Sequence, residues 1–129
     1  GNPLATAAGL AALSLLDDDA YVALRRTASR LAAGLSAAFM AAGVPAVVST
    51  IDSLIGLHFA PTAAHNFDDA KTTDERYYAR FFHAMLNEGV ALAPGAYEVL
   101  FPGLAHTDEV IDTVIASAER AARLAAVSR

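Results

Sequence analysis

The sequence predicts an α+β fold, in which helices cover a small and mostly antiparallel sheet. Apolar residues recur at steps of three and four in long segments, which is the period of an amphipathic helix. Between these segments lie short runs rich in β-branched and other apolar residues, which are typical of strands. Gly, Pro and Asp stand where one pattern changes to the other. With 129 residues, the chain is long enough for one compact core.

The first predicted helix runs from Pro3 to about Leu16. Asn2 is a favourable N-cap, and Pro3 suits the first helical position because its missing N–H would have no partner there. Ala, Gly and Leu occupy nearly every face of this segment. A helix without a polar side is typical of one that packs closely between neighbours.

The second predicted helix runs from about Ala20 to Ala42. Asp17–Asp19 end the first helix and favour the start of the second, since negative charge stabilises a helix N-terminus. Gly43 then provides a C-terminal cap. The apolar stripe of this helix consists of Leu24, Ala28, Leu31, Leu35 and Phe39.

Two strands are predicted next, over Val44–Ile51 and Leu54–Ala60. The first is rich in β-branched residues, and Asp52-Ser53 between the two suits a tight antiparallel turn. Pro61–Thr73 mixes Pro, Asn, Asp and Thr without any period. That mixture predicts an exposed loop.

A third helix is predicted from its cap, Asp74, to about Asn87, with Gly89 just beyond its end. An apolar stripe at helical spacing indicates that one face of this helix belongs to the core. The stripe consists of Tyr78, Phe81, Phe82 and Met85.

Two short extended pieces, Val90–Ala93 and Tyr97–Phe101, are predicted on either side of a Pro-Gly pair. The last helix begins at a threonine cap and covers about Thr107–Val127. We expect its last turn to carry Arg120 and Arg123, whose charges complement the helix dipole.

Composition limits the classes of partner. The chain is 55% hydrophobic and has a net charge of −5. A negative chain does not suit nucleic acid or an anionic membrane surface, which both attract clustered Lys and Arg, and no apolar segment is long enough to span a bilayer. The apolar surplus predicts a face that a second domain or subunit covers. The absence of cysteine excludes disulfides and fits a reducing compartment.

Few side chains stand in patterns that are known for catalysis. The single lysine, Lys71, lies in an acidic loop beside Asp68 and Asp69, which favours a protonated, solvated amine. No histidine pair has metal-ligand spacing, so we expect no metal site. The chain begins Gly1-Asn2-Pro3 without a methionine, which we interpret as the mark of a fragment or processed product.

Three strings in the chain resemble one enzyme family. Gly1-Asn2-Pro3-Leu4-Ala5 resembles the start of the long helix that follows the cofactor-binding domain in class III aminotransferases. Asn66–Lys71 and Tyr78–Leu86 resemble the corresponding loop and helix of the glutamate-1-semialdehyde aminomutases within that family. Gly89–Pro94 and Leu104–Asp108 are similar to the ending of the same enzymes. The strings stand in the family's order and extend from one end of the chain to the other.

The resemblance implies the small C-terminal domain of a fold-type I enzyme that uses pyridoxal phosphate (PLP) and pyridoxamine phosphate. Residues 1–16 would form the helix that bridges the large and small domains, and residues 17–129 the small domain itself. The enzyme would isomerise glutamate-1-semialdehyde, a small-molecule substrate, to 5-aminolevulinate, a precursor of porphyrin and heme. It would act in the cytoplasm as a homodimer. Its Schiff-base lysine would lie upstream of Gly1, so we expect this chain alone to be inactive and to bind no cofactor.

The resemblance also implies the site residues. Glu98 matches a late glutamate that faces the bound substrate, where a carboxylate would hold an ammonium group and tune proton transfers. On the residues alone, an ordinary glutamate at a strand edge stays open. Gly1 and Asn2 would help to shape the corner around the cofactor phosphate, since backbone N–H groups at a helix start attract anions. A plain N-cap is the alternative.

Two stretches depart from the family's pattern. Gly95-Ala96-Tyr97 stands where members usually have Ser-Gln-Phe, and Val99–Pro102 stands where they have Ala-Gly-Phe. This predicts altered substrate contacts at the mouth of the active site. Two other functions stay open: another class III aminotransferase, acting on an acetylornithine-like or ω-amine substrate, and a non-catalytic α+β docking module.

Overall fold

A computed structural model describes residues 1–127, which form five helices and three strands and confirm the α+β class. Residues 128–129, which the domain assigned to 17–129 includes, lie outside this description. The elements are, in chain order, α1 Pro3–Ser14, α2 Asp18–Ala41, β1 Val47–Ile51, β2 Leu54–His58, α3 Phe67–Ala70, α4 Glu75–Asn87, β3 Val99–Leu100 and α5 Asp108–Val127.

The three strands form one antiparallel sheet in the order β1-β2-β3. Ile51 pairs with Leu54, so Asp52-Ser53 is the predicted two-residue turn. Asp52 has a φ of 54°, which suits a short hairpin loop, and Asp tolerates this region better than most residues. The predicted hairpin is therefore confirmed.

The sheet is smaller than the sequence predicts. β1 begins at Val47 because Val44 N–H donates to Phe39 O at the end of α2. Val90–Ala93 is not a strand and pairs with none of β1, β2 and β3. In the second extended piece, Tyr97–Phe101, only Val99 and Leu100 pair with β2.

The core lies between the sheet and three helices. α5 packs against both α2 and α4, and α2 also covers β1 and β2. Three phenylalanine rings form the centre, where Phe39 meets Phe59 and Phe81 edge-on at centroid distances of 5.0 and 5.1 Å. The largest other fully buried side chains are Leu35, Ile55, Met85 and Ile111. The predicted stripes of α2 and α4 supply most of this core, while Leu24 and Phe82 are only half-buried.

Gly34 allows the close approach of α2 to α5. A Cβ atom added at Gly34 would lie within 3 Å of the Ile115 side chain, 2.9 Å from its Cγ2 atom. Atoms this close would overlap, so any larger residue at position 34 would push the two helices apart.

The helix ends follow the predicted capping residues. Asp17 and Asp74 accept hydrogen bonds from backbone N–H groups in the first turns of α2 and α4. Gly43 and Gly89 have φ values of 67° and 84° just after these helices. In both places the following residue, Val44 or Val90, donates back into the last turn. This Schellman arrangement requires a left-handed residue, which glycine adopts without strain.

Two predictions for the later part of the chain were wrong in detail. The loop Pro61–Thr73 contains a single helical turn, α3, capped by Asn66. Its last residue is buried, because Thr73 Oγ1 accepts from Phe59 N–H at 3.0 Å and so pins the loop to the end of β2.

The last turn of α5 carries no basic residue, contrary to prediction. Arg120 instead binds Glu88 at 2.5 Å beyond the end of α4, and Arg123 binds Glu119 within α5. A positive charge from another helix also reaches the last turn of α5, since Arg80 Nε donates to Ala125 O at 2.9 Å. Contacts between helices therefore replace the local pattern that the sequence suggested.

α1 contributes no buried residue. Leu4, Leu10 and Leu13 are 78%, 65% and 66% exposed. The accessible surface of the chain is 7974 Å², whereas a compact protein of this mass exposes about 6,500 Å². The predicted helix thus forms, with its apolar side chains in solvent. Within residues 1–127, no helix has the length and apolar character that a membrane crossing requires.

Candidate functional site

Glu98 lies at the end of the loop that connects α4 to β3. The loop is fixed at two points. Tyr78 Oη donates to Ala93 O at 2.5 Å, and Val99 pairs with Gly56 of β2. The position of Glu98 is therefore set by a helix on one side and by the sheet on the other.

Glu98 closes a turn on Gly95. Glu98 N–H donates to Gly95 O at 3.2 Å, and Gly95 N–H donates to Glu98 Oε1 at 3.1 Å. The side chain remains exposed. A carboxylate offers about four acceptor positions, so Glu98 keeps the capacity to accept further donors such as an ammonium group.

A cavity of 140 Å³ borders Glu98 between the sheet and the loop. Ser49, His58, Thr73 and Tyr97 contribute polar groups to its wall. It has room for a few water molecules, since each occupies about 30 Å³. A site for a whole small molecule usually measures about 300–1,000 Å³. This cavity is therefore too small to be a complete pocket for such a molecule.

Two tyrosines hold the loop beside Glu98. Burial raises the pKa of Tyr78, and the nearby Glu98 charge raises it further. The hydrogen bond from Tyr97 Oη to Glu75 Oε1, 2.6 Å long, is the main cause of the raised pKa of Tyr97. Both phenols are therefore neutral hydrogen-bond donors at ordinary pH, and their hydrogen bonds hold the loop in place.

Gly1 and Asn2 lie at the exposed start of α1. Asn2 Oδ1 accepts from Leu4 N–H at 2.9 Å, so the side chain serves as the N-cap. Within residues 1–127, no hydrogen bond or ion pair connects Gly1 or Asn2 with Glu98. The structure thus does not join the predicted site residues by direct contact, and the roles of all three stay predictions.

Lys71 has the environment of a surface lysine. Its Nζ atom lies 2.6 Å from Asp68 Oδ1 and 5.4 Å from the centre of the Phe67 ring. A lysine amine that is paired with a carboxylate at the surface lacks the desolvated pocket that a Schiff-base lysine requires. Within residues 1–127, no group of three or more His, Cys, Asp or Glu side chains is placed to hold a metal ion.

Comparison with curated proteins decides the relationship. The chain is 45% identical over 120 residues, 93% of its length, to glutamate-1-semialdehyde 2,1-aminomutase 2 of Shouchella clausii (strain KSM-K16). It is 42% identical over 125 residues, 97% of its length, to glutamate-1-semialdehyde 2,1-aminomutase of Tropheryma whipplei, in the strains Twist and TW08/27. The chain belongs to the glutamate-1-semialdehyde 2,1-aminomutase family. No family profile matches it.

The match covers only the C-terminal part of the family's sequences. The chain spans 28% of the length of the Shouchella clausii protein and 27% of that of the Tropheryma whipplei proteins. This chain therefore represents only one part of an aminomutase.

Solved structures of transaminases have a fold similar to that of this chain. An omega-transaminase from Sphaerobacter thermophilus superposes with a TM-score of 0.75 at 24% identity, over 95% of this chain and 29% of its own. A β-phenylalanine aminotransferase from Variovorax paradoxus superposes with a TM-score of 0.67 at 28% identity, over 76% of this chain and 22% of its own. This chain thus shares its architecture with a part of each of these two transaminases.

The sequence does not predict the contacts that two residues of the candidate site make. Tyr78 is predicted only as a core residue, and its hydroxyl contact with Ala93 follows from the path of a loop that has no period. Gly95 stands in a recognisable Pro-Gly turn, but its contact with the Glu98 carboxylate depends on a side-chain conformation. The only sequence signal for this contact is the spacing of three residues between Gly95 and Glu98, and such a spacing is common in turns.

Proposed function

We propose that this chain forms the C-terminal domain of a PLP-dependent enzyme that isomerises glutamate-1-semialdehyde to 5-aminolevulinate for tetrapyrrole synthesis. The supporting observation is the identity of 42–45% to aminomutases over 93–97% of the chain. The α+β fold and its likeness to transaminases support the same conclusion. In this proposal the enzyme works in the cytoplasm as a homodimer.

In the proposed enzyme, Glu98 faces the substrate. Its carboxylate is exposed, borders the 140 Å³ cavity, and uses one oxygen to accept from Gly95 N–H. It can therefore hold an ammonium group of the substrate by a charge-assisted hydrogen bond. It can also favour the protonated over the neutral amine during the reaction, because the negative charge stabilises a nearby cation.

PLP, with its amine form pyridoxamine phosphate, would supply an amino group that can be exchanged with the substrate. Residues 1–127 do not fit a complete site for it, because the single lysine, Lys71, is paired with Asp68 at the surface. We propose that the cofactor is held by another part of the enzyme. Gly1 and Asn2 would contribute at most the backbone N–H groups of a helix start near the phosphate.

The division of the chain also belongs to this proposal. Residues 1–16 would form a helix that bridges to a large domain, and residues 17–129 would form the small domain. The exposed leucines of α1 support this division, because a water-exposed apolar helix gains free energy when another surface covers it. The second subunit would complete the active site.

A single assay tests the proposed reaction. Full-length enzyme, loaded with pyridoxamine phosphate, is supplied with glutamate-1-semialdehyde and no other amino donor or keto acid. We expect continuous formation of 5-aminolevulinate, because an isomerisation returns the amino group in each turnover. If product formation stops after one equivalent per enzyme and resumes only when a second amino donor is added, the enzyme is a transaminase instead.

A transaminase that acts on an ω-amine is the second candidate. It is favoured by one observation, the structural likeness to an omega-transaminase over 95% of the chain. At 24% identity that likeness shows the fold alone, and the sequence relatives at 42–45% identity are aminomutases. The same assay separates the two, since only the transaminase needs a second amino donor to continue after its first turnover.

A further inference from the structure

A groove of 340 Å³ lies between α4 and the end of α5, and it shares no residue with the 140 Å³ cavity described above. Its volume reaches the lower end of the range for small-molecule sites, about 300–1,000 Å³. α4 supplies Arg80, His83 and Asn87, which are three and four residues apart and therefore share one face of the helix. α5 supplies Leu124 and Ala125. The groove thus combines polar groups from one helix with an apolar wall from the other.

Arg80 is half-buried and held in place. Its Nε atom donates to Ala125 O at 2.9 Å, and its guanidinium carbon lies 5.7 Å from the centre of the Tyr77 ring. A guanidinium has five N–H donors, so the four on the two Nη atoms remain for other partners. Within residues 1–127, no carboxylate forms an ion pair with Arg80. The guanidinium is therefore ordered and free to bind an oxyanion through two parallel hydrogen bonds.

Glu88 also lines the groove but does not cancel the charge of Arg80. Its Oε2 atom accepts from Arg120 Nε at 2.9 Å and from Arg120 Nη2, so the two charges of that pair balance each other. The carboxylate still opposes a doubly charged anion more than a singly charged one. A second groove of 350 Å³ also borders Arg80, but the Asp74 carboxylate in its wall opposes an anion there.

We propose that the 340 Å³ groove binds a small carboxylic acid, in its anionic form, that carries a short aliphatic chain. The carboxylate accepts from the Nη groups of Arg80, and the His83 imidazole, one turn further along the same face, can donate another hydrogen bond. The aliphatic chain lies on Leu124 and Ala125, where burial removes it from water. The groove is separate from the proposed substrate site, so this inference does not depend on the proposed function.

An NMR titration tests whether the groove binds such an anion. The 129-residue chain is titrated with sodium butyrate, and in parallel with sodium chloride at the same concentrations. We expect the Arg80 Nε–H signal and the backbone amides of His83 and Asn87 to shift and to saturate with butyrate alone. Arg76, which is exposed on α4 and lies outside the groove wall, is the internal control and should not respond. Shifts that do not saturate, or that are equal at Arg76 and Arg80, would overturn the proposal.

Substitutions in α4 test the role of the guanidinium. Arg80→Gln should weaken butyrate binding about tenfold or more, because charge-assisted hydrogen bonds are lost, whereas Arg76→Gln should leave it unchanged. Since Arg80→Gln also removes the bond to Ala125, a second variant keeps Arg80. His83→Glu places a carboxylate one turn away, where it pairs with Arg80 and repels the ligand, and should weaken binding by about threefold or more. His83→Gln is its matched control and should bind butyrate like the parent. Unchanged binding in both Arg80→Gln and His83→Glu would refute the site.

The choice of a singly charged, partly apolar ligand has its own test. Acetate should bind more weakly than butyrate, because it lacks the chain that covers the apolar wall. Inorganic phosphate should also bind more weakly, because the Glu88 carboxylate opposes its second charge. Phosphate that binds as tightly as butyrate, with the same response at Arg80, would contradict the assignment of a carboxylic acid to this groove.

Discussion

α1 and α5 are both rich in alanine and leucine, yet they lie in opposite environments. α5 spaces its small residues so that Ala118, Ala121 and Ala122 are fully buried against α2 and α4, while Glu, Asp and Arg occupy its other side. α1 has no polar side and buries no residue. Pattern, and not composition, thus determines which helix packs within the domain. A helix that is apolar all round needs a surface that the described residues do not provide.

The largest expected difference between the two helices is in stability. Ile111→Ala in α5 removes a side chain that is 1% exposed, so it should lower the free energy of unfolding by about 2–5 kcal/mol. Leu13→Ala in α1 is the control, because Leu13 is 66% exposed and should change stability by less than about 0.5 kcal/mol. Urea denaturation of both variants measures this. Equal losses would mean that α1 belongs to the same cooperative unit.

Glu98 shares with α1 the property that it is exposed and contributes little to the core. In the full-length enzyme, Glu98→Gln keeps the shape of the side chain and removes its charge. A charge-assisted hydrogen bond contributes roughly 1.5–3 kcal/mol, so turnover should fall by about tenfold to a hundredfold. The melting temperature should stay unchanged. Wild-type turnover together with a lowered melting temperature would instead identify Glu98 as an ordinary surface residue.

Tyr77 connects α5 to α4 inside the core, since its Oη atom donates to Ala122 O at 3.1 Å. Tyr77→Phe should cost about 1 kcal/mol of stability near neutral pH. Burial raises the pKa of Tyr77 to about 12. A raised pKa means that the folded state keeps the proton longer than the unfolded state, so this stabilisation is lost as the pH rises from about 10 to 12.

Thermal melts of Tyr77→Phe and of the parent chain between neutral and strongly alkaline pH test this contact. The variant should lose less stability than the parent over the alkaline range. Parallel curves for the two proteins would show that Tyr77 does not titrate differently on folding.

The smallest expected effect concerns the ion pair of Arg120 in α5 with Glu88, at 2.5 Å. Arg120→Gln should lower the melting temperature slightly at neutral pH, since exposed pairs stabilise little. Arg120 lowers the pKa of Glu88 through a hydrogen bond. The stabilisation is therefore present above the pKa of an unfolded glutamate and is lost as the pH falls through the lower, folded value. The difference between variant and parent should vanish in acid and in high salt.

Local sequence signals predicted much of the fold. Asn2, Asp17, Asp74, Gly43 and Gly89 mark helix ends at which they indeed cap or terminate α1, α2 and α4. Asp52-Ser53 likewise marks the hairpin. These residues work through hydrogen bonds within a few positions along the chain, so the sequence contains the whole cause.

Contacts between distant parts were harder to predict. Val90–Ala93 has the composition of a strand but pairs with none of the three strands of the sheet. Arg80, and not the predicted arginines of α5, reaches the end of that helix. At the candidate site, Glu98 was recognised only through resemblance to a family. The hydrogen bond from Gly95 N–H to the Glu98 carboxylate depends on the path of a loop, which no local sequence rule determines.

Hydrogen exchange along α1 tests most directly whether this helix is completed by another part of the enzyme. In the 129-residue chain, the amides of α1 should exchange far faster than those of α5, because no tertiary packing supports them. In the full-length enzyme we expect α1 to become protected to the same level as α5. Fast exchange of α1 in the full-length enzyme as well would contradict the account, because the apolar helix would then remain without a partner.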